Sequence, residues 1–493
     1  MSDSAMPAAA VVAAATPLTL RELVLAGPGP GSEVESGLGV MALETGTAMG
    51  VGAVVAACGH VDARRQSLSG EVTAVVILGL CLFSGEGSGT VLTRLWPMLG
   101  RLNPALVMVD PVTEQALSAA RERLVPVAMR MLFEASATRN GLEPQLGLRL
   151  FGLVLTATDG TVFDLAATDA IRDRYATPSG GRFPQARVVT LVECGTRRIL
   201  GAVMDSSAIS EQALWDRLVG QLRPGTLNLA DRNFFSMNRW RTAAATGAHL
   251  VWRVKNGAKS VPAKIIQRLP DGSCLVRLRE SNAMFYARRR AIGDPTAARL
   301  EDMTARMIEF TVTVTDQAGT STRSRFRVMT TLLDPDAYPA VQIAACYAER
   351  WQVEIVYKTI KTSLRGGDRR LRGQSPDLAE QEIWGLLAAY NILAAHAVDT
   401  AVELGIDPDE ISFIHVLRTF RDHLSPIPAC HDCGAPARIR PPADLIAAIA
   451  AGPRNRLDRQ RAAPRTTQEH RTQHTRNVTY TITITESTLP KTA

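Results

Sequence analysis

Apolar and polar positions set the first divisions of the chain. From Leu68 to Ala137 apolar residues recur at helical spacing, and Gly85–Gly89 reads as a turn between helices. The longest apolar run, Val72–Phe83, falls short of the ~20 residues a bilayer span needs and is expected as a core helix. From Phe151 the period changes. FGLVLTAT alternates like a strand and meets Asp159-Gly160-Thr161, a turn signal. Val188–Cys194 and Arg198–Met204 read as two further strands about Gly195-Thr196. Ser210-Glu211 opens a helix carrying Leu214, Trp215, Leu218 and Leu222, and Pro224-Gly225 stops it. Thr226–Ala230 is a short strand that delivers Asp231, Met237–Ala245 is helical, and His249–Val254 is a fifth strand.

This order of strands and helices is that of a ribonuclease H-like α/β core. In such a core the first and fourth strands are neighbours, so Asp159 and Asp231 would converge at one edge. Residues 255–333 show short β-like runs with Gly, Asp and Pro turns, and are expected as a β-rich insertion interrupting the core. A long helical pattern then runs from Asp336 and Pro339 to Leu364, closed by Gly366-Gly367, and another from Leu378 to Ala397. The expected domains are a flexible leader (1–60), an N-terminal helical domain (61–145), the catalytic core (146–254 and 334–400), the insertion (255–333), a C-terminal helical region (401–452) and a basic tail (453–493). The leader contains GPGPGS, Gly27–Ser32, whose prolines remove the amide donors a phosphate loop needs. Arg121, Arg123 and Leu124 make the N-terminal domain a candidate DNA-binding unit, against the plainer expectation of a solvated helix face.

Composition adds bounds. The 493 residues are 46% hydrophobic, which excludes a wholly disordered chain, and their length excludes a disulfide-stapled miniprotein. Seven cysteines scattered from Cys58 to Cys433 do not make an extracellular disulfide framework. Asp3 stands where an export signal needs positive charge, so a soluble cytoplasmic protein with no membrane partner is expected. The net charge of +7 is local: Pro453–Arg476 holds seven arginines against two acids, and Tyr347–Arg372 holds seven cations against three. Both are candidate contacts for a polyanion.

The segment Tyr347–Lys361, YAERWQVEIVYKTIK, carries candidate chemistry. At about 100° per residue, Tyr347, Arg350, Glu354, Lys358 and Lys361 fall within roughly 80° of one another, with Val353, Val356, Ile360 and Leu364 opposite. Taken alone, this is an amphipathic helix with Arg350–Glu354 and Glu354–Lys358 ion pairs.

The same segment resembles the Tyr-Arg-Glu-Lys signature of a branch of bacterial DDE-type insertion-sequence transposases. Tyr347, Arg350, Glu354 and Lys361 match all four spacings. ATDGTVFDL around Asp159 resembles the first-Asp strand of that family, and LADRNFFS around Asp231 resembles the second, with Asn233 where glycine is common. Leu371–Leu393 resembles the helix that follows the signature, so the likeness spans about Leu68 to Ala395.

The resemblance implies DNA cleavage at the element's ends and transfer of the freed 3′-hydroxyls into target DNA. Asp159, Asp231 and Glu354 would be the catalytic carboxylates holding two Mg²⁺ ions, with Mn²⁺ as a substitute. Arg350 and Lys361 would contact phosphates and Tyr347 would sit beside them, with Lys358 and Trp351 secondary on the same face. An aromatic of the insertion would receive a flipped base, with Trp252, Tyr286 and Phe310 as candidates. The partners implied are the terminal inverted repeats, target DNA and a second copy in the synaptic complex, on the bacterial nucleoid when DNA-bound. Departures at Ile171, at Arg172–Pro184 and at Ser69-Gly70-Glu71 bear on end recognition and on activity. Asp164, Asp169 and Asp205 are rivals to Asp159, better placed as solvated residues. Cys430-His431-Asp432-Cys433 would need ligands such as His415 and His423 to hold zinc. The alternatives are an inactive or repurposed DNA-binding derivative, or a nuclease of the same core without strand transfer.

Overall fold

Arg149–Leu150 (β1) and Leu153–Asp164 (β2) pair across a turn in which Phe151 and Gly152 adopt left-handed φ of 53° and 74°. The computed structural model describes residues 51–58, 68–102, 106, 109–137, 149–257, 261–316, 318–367, 370–425, 444–455, 479–487 and 489. Most of the expected leader, the Cys430–Cys433 pair and most of the arginine-rich tail lie outside the described residues.

The turn expected at Asp159-Gly160-Thr161 is not there. β2 continues to Asp164 because β3 (Gln185–Glu193) pairs with it antiparallel, from Thr156↔Glu193 to Asp164↔Gln185. A continuous ladder outweighs the local turn preference of Asp-Gly. β4 (Ile199–Ser206) extends the meander on β3. On the other side of β2, β5 (Thr226–Ala230) and β6 (His249–Arg253) join in parallel. Their connections are the helices Glu211–Leu218 and Met237–Ala245, whose amide ends are capped by the hydroxyls of Ser210 and Ser236.

The segment 255–333, which the sequence marks as a β-rich insertion, adds its strands to the sheet of this core. Its strands β7 (Ala263–Arg268), β8 (Cys274–Leu278), β9 (Met303–Thr315) and β10 (Ser321–Thr330) continue the same sheet, through Val328–Thr330 of β10 against Val251–Arg253 of β6. β10 thereby satisfies the outer edge of β6, which would otherwise present unpaired amides and carbonyls. The segment also holds a helix, Asn282–Ile292, where short strands alone are expected. β11 (Thr479–Thr485) pairs with β9 over Glu309–Thr315, completing the order β4-β3-β2-β5-β6-β10-β9-β8-β7 with β1 on β2 and β11 on β9.

Buried Glu309 fastens that edge. Its Oε1 accepts from Arg327 Nη2 at 2.9 Å and from Ser487 Oγ at 2.6 Å, while Oε2 accepts from Arg325 Nη2 at 2.7 Å.

Helices cover both faces of the sheet. Leu214, Trp215, Met237 and Trp240 pack on one face against Val189, Leu191, Leu250 and Trp252. On the other, Leu155, Ala157, Leu227 and Leu229 meet Val353, Val356 and Ile360, backed by the long helix Pro376–Leu404. Ser375 caps that helix and Gly405, at φ 64°, ends it. It is long and apolar enough to cross a membrane by length and composition, but its apolar stretch lies inside the protein. The N-terminal helices Gly70–Leu82, Glu114–Arg123 and Pro126–Ser136 share its core. Arg121 is therefore no solvated residue: it is buried and donates to the Leu378 carbonyl at 3.4 Å.

Candidate active site

β2 and β5 run in parallel register up to Thr158↔Ala230. The next residues are Asp159 and Asp231, so both carboxylates leave neighbouring strands at one level. Asp159 Oδ1 accepts its neighbour Gly160 N–H at 2.9 Å, and Asp231 Oδ1 accepts Arg232 N–H at 2.7 Å. The Asp159 carbonyl accepts from the Tyr357 hydroxyl at 2.6 Å, and Thr190 Oγ lies 2.7 Å from that hydroxyl. Tyr357 thus clamps the strand where the carboxylate emerges.

The segment bearing Glu354 is not one uniform helix. Ala340–Cys346 is α-helical, Tyr347–Arg350 winds tighter as 3₁₀, Trp351–Lys358 is α-helical and Thr359–Leu364 widens into a π-turn. Val353, Val356, Ile360 and Leu364 are each 0% exposed, as their spacing predicts. The opposite stripe also faces protein: Arg350 and Tyr347 are buried against the sheet edge. Arg350 Nη1 donates to Asp159 Oδ2 at 3.0 Å and Nη2 to Glu354 Oε1 at 2.8 Å. The ion pair expected within the helix is therefore shared with a strand far away in sequence. Tyr347 O–H donates to the Ala230 carbonyl at 3.4 Å, next to Asp231.

Lys361, in the π-turn, lies 5.5 Å from the centre of the Phe163 ring, with Arg365 5.7 Å from the same ring. Burial, reinforced by Arg365, lowers the Lys361 pKa. Lys358 and Trp351 are exposed.

Burial pushes the Asp159 carboxyl up to about 6, against the opposing pull of Arg350. Burial also opposes the Arg350 charge, but the carboxylates of Asp159, Asp231 and Glu354 outweigh it and hold the guanidinium above its ordinary value. Tyr347 is raised by burial and stays a neutral donor.

A cleft of about 790 Å³ opens at this edge, with Asp159, Gly160, Glu211, Asp231, Asn233 and Lys255 in its wall. Glu211, Tyr357 and Lys255 carry no motif; only their positions next to expected elements point to them.

Trp252 does not reach the cleft. It is fully buried, donates from Nε1 to Asn228 Oδ1 at 3.0 Å, and sits edge-on to Trp215 and Trp240. A base has no access to it, which corrects its expected role in DNA contact. Phe310 is likewise buried, stacked on Phe326 at 5.4 Å. Tyr286, on Asn282–Ile292, is 57% exposed.

Among the described residues, no three His, Cys, Asp or Glu side chains stand together as metal ligands. The oxygen donors of Asp159, Asp231 and Glu354 suit a hard divalent cation, and Arg350 supplies the positive charge between Asp159 and Glu354 in this arrangement. The donor chemistry fits, with the guanidinium standing where charge compensation is needed.

Comparison with known proteins covers most of the chain. A family model described as the transposase DDE domain matches residues 151–392, and one described as insertion element 4 transposase N-terminal matches residues 44–134. The transposase InsG for insertion sequence element IS4 of Escherichia coli (strain K12) is 28% identical over 368 residues, 73% of this chain and 77% of that protein. The transposase for insertion sequence element IS421 of Escherichia coli is 34% identical over 91 residues, 18% of this chain and 23% of its own length. A solved piggyBac transposase, in a synaptic complex with hairpin DNA, aligns over 82% of each chain at 10% identity with a TM-score of 0.39.

Proposed function

The chain belongs to the DDE transposases of bacterial insertion sequences, of the insertion element 4 type, and on that premise we propose that Asp159, Asp231 and Glu354 are its three catalytic carboxylates. It is a DNA transposase, and its DDE domain implies use of a divalent cation. The cation we assign is Mg²⁺, as two ions held by these carboxylates, with Mn²⁺ able to replace it. When bound, such ions activate water or a 3′-hydroxyl and offset charge on the leaving oxygen.

One observation carries the assignment: the Thr158↔Ala230 pairing brings two aspartates to one level, and Arg350 ties Glu354 to the first of them. The antiparallel β2-β3-β4 and parallel β2-β5-β6 arrangement supports a ribonuclease H-like core beneath them. Arg350, drawn from Asp159 by an incoming phosphate, would grip that phosphate in bidentate fashion. Lys361 and Lys358 would extend the cationic track along the backbone, and Tyr347 would keep Arg350 in place. The substrates are the element's own terminal inverted repeats and target DNA, engaged by a homodimer, with the N-terminal helices of 61–145 adding contacts. Tyr286 is the accessible aromatic for a flipped base.

The test incubates the full chain with labelled duplex carrying the element's terminal repeat and Mg²⁺. Asp159→Asn, Asp231→Asn and Glu354→Gln should each retain DNA binding and lose cleavage by about a hundredfold or more. Parent-like cleavage by these variants overturns the assignment.

A further inference from the structure

One carboxylate of the cleft belongs to none of the three acidic motifs. Glu211 is the first residue of Glu211–Leu218, the helix that crosses from β4 to β5. Ser210 caps the helix amides, accepting Ala213 N–H at 3.2 Å, which leaves the Glu211 side chain for another task. That side chain turns to Gly160, the residue directly after Asp159. A Cβ at Gly160 would collide with Glu211 Oε1 and lie 2.9 Å from its Cγ. With glycine at 160, the Glu211 carboxylate can lie directly against this strand; a larger residue there would push it aside.

Asn233, two residues after Asp231, holds the carboxylate there. Asn233 Nδ2 donates to Glu211 Oε2 at 2.5 Å, and Asn233 Oδ1 accepts from Gln212 Nε2 at 2.6 Å. The second bond fixes which way the amide faces, so its NH₂ must point at Glu211. Asn233 is neutral and offsets no charge. Glu211 therefore places a carboxylate beside Asp159, against the residue that follows it. Such like charges are tolerated where a cation comes between them. Hydrated divalent cations retain waters that seek acceptors just beyond the direct ligands.

We propose that Glu211 is a positioning residue of the cation site: its carboxylate, oriented by Asn233 against Gly160, accepts hydrogen bonds from the water shell of a divalent cation held by Asp159 and Asp231. This rests on the assignment of the catalytic carboxylates above. It makes Glu211 a fourth acid of the centre, acting through water, and gives Gly160 and Asn233 defined duties.

The test titrates Mn²⁺ alone into the full chain, reads free Mn²⁺ by electron paramagnetic resonance, and checks folding by circular dichroism melting. Glu211→Gln keeps an acceptor for Asn233 and removes the charge; it should bind Mn²⁺ about tenfold more weakly at an unchanged melting temperature. Asn233→Ala, which leaves every carboxylate in place but removes the donor that orients Glu211, should weaken binding in the same direction by a few-fold. Asp159→Asn should lose binding. Parent-like affinity in Glu211→Gln and Asn233→Ala beside loss in Asp159→Asn overturns the role of Glu211 alone. Parent-like affinity in Asp159→Asn overturns the underlying assignment, and this inference with it.

Discussion

Arg350 divides one guanidinium between Asp159 and Glu354, two acids that would otherwise repel each other at the sheet edge. Even so, burial dominates at Asp159 and lifts it from 3.8 to about 6. The folded protein thus prefers the protonated form. Stability from this group is fully present below pH ~4 and is lost as pH rises through about 6. Asp159→Asn, neutral at every pH, should therefore be more stable than the parent at pH 8, on the order of 3 kcal/mol, with the gap closing below pH 4. Chemical denaturation at the two pH values checks this; a gap that persists at low pH refutes it. On the proposed assignment, cation-dependent cleavage should fall as pH drops through about 6, since protons and cations would compete for the Asp159 carboxylate. Asp159, Asp231 and Glu354 stand out in the sequence because the motifs that carry each of them are local. Glu211 and Tyr357 do not: their contacts with Gly160 and Asp159 join residues far apart in the chain. Trp252 misled for a related reason. Its strand alternation fixes a face, but nothing local says that Trp215 and Trp240 close over that face.

The segment from Ala340 to Leu364 changes pitch three times while keeping its apolar side against the core. A wheel of uniform pitch finds the buried side of Trp351–Lys358 but cannot anticipate the wider turn after it. There Arg365 N–H reaches back five residues to the Ile360 carbonyl at 2.9 Å, and Lys361 comes to rest above Phe163. Ile360 is the apolar anchor of that turn, 0% exposed. Ile360→Ala should cost about 2–5 kcal/mol in urea unfolding and lower cleavage as Glu354 and Lys361 lose their backing. A cost below about 1 kcal/mol would show that the turn is held from elsewhere. The helix at Glu211–Leu218 was predictable from Ser210 and its apolar spacing, whereas its service to the cleft depends on the sheet beneath.

At the scale of the molecule, the strands of the β-rich segment 255–333 extend the central sheet. Short β-like runs announce strands but not their partners, and the β10–β6 pairing spans more than seventy residues of chain. The β11–β9 pairing spans more still, and Ser487 locks it onto buried Glu309. Removing residues 479–493 should strip the hydrogen bond to that carboxylate and leave Glu309–Thr315 uncovered, costing at least about 2 kcal/mol. Light scattering should then show association through the open edge; a truncated chain as stable and monodisperse as the parent would count against this account. The same pairing sets a condition on biosynthesis. A ribosome releases β9 well before β11, so each nascent chain carries Glu309–Thr315 as a bare strand edge until residues 479–485 have been made. Neighbouring ribosomes on one messenger hold identical bare edges close together, which is the arrangement in which one strand edge can template pairing with another.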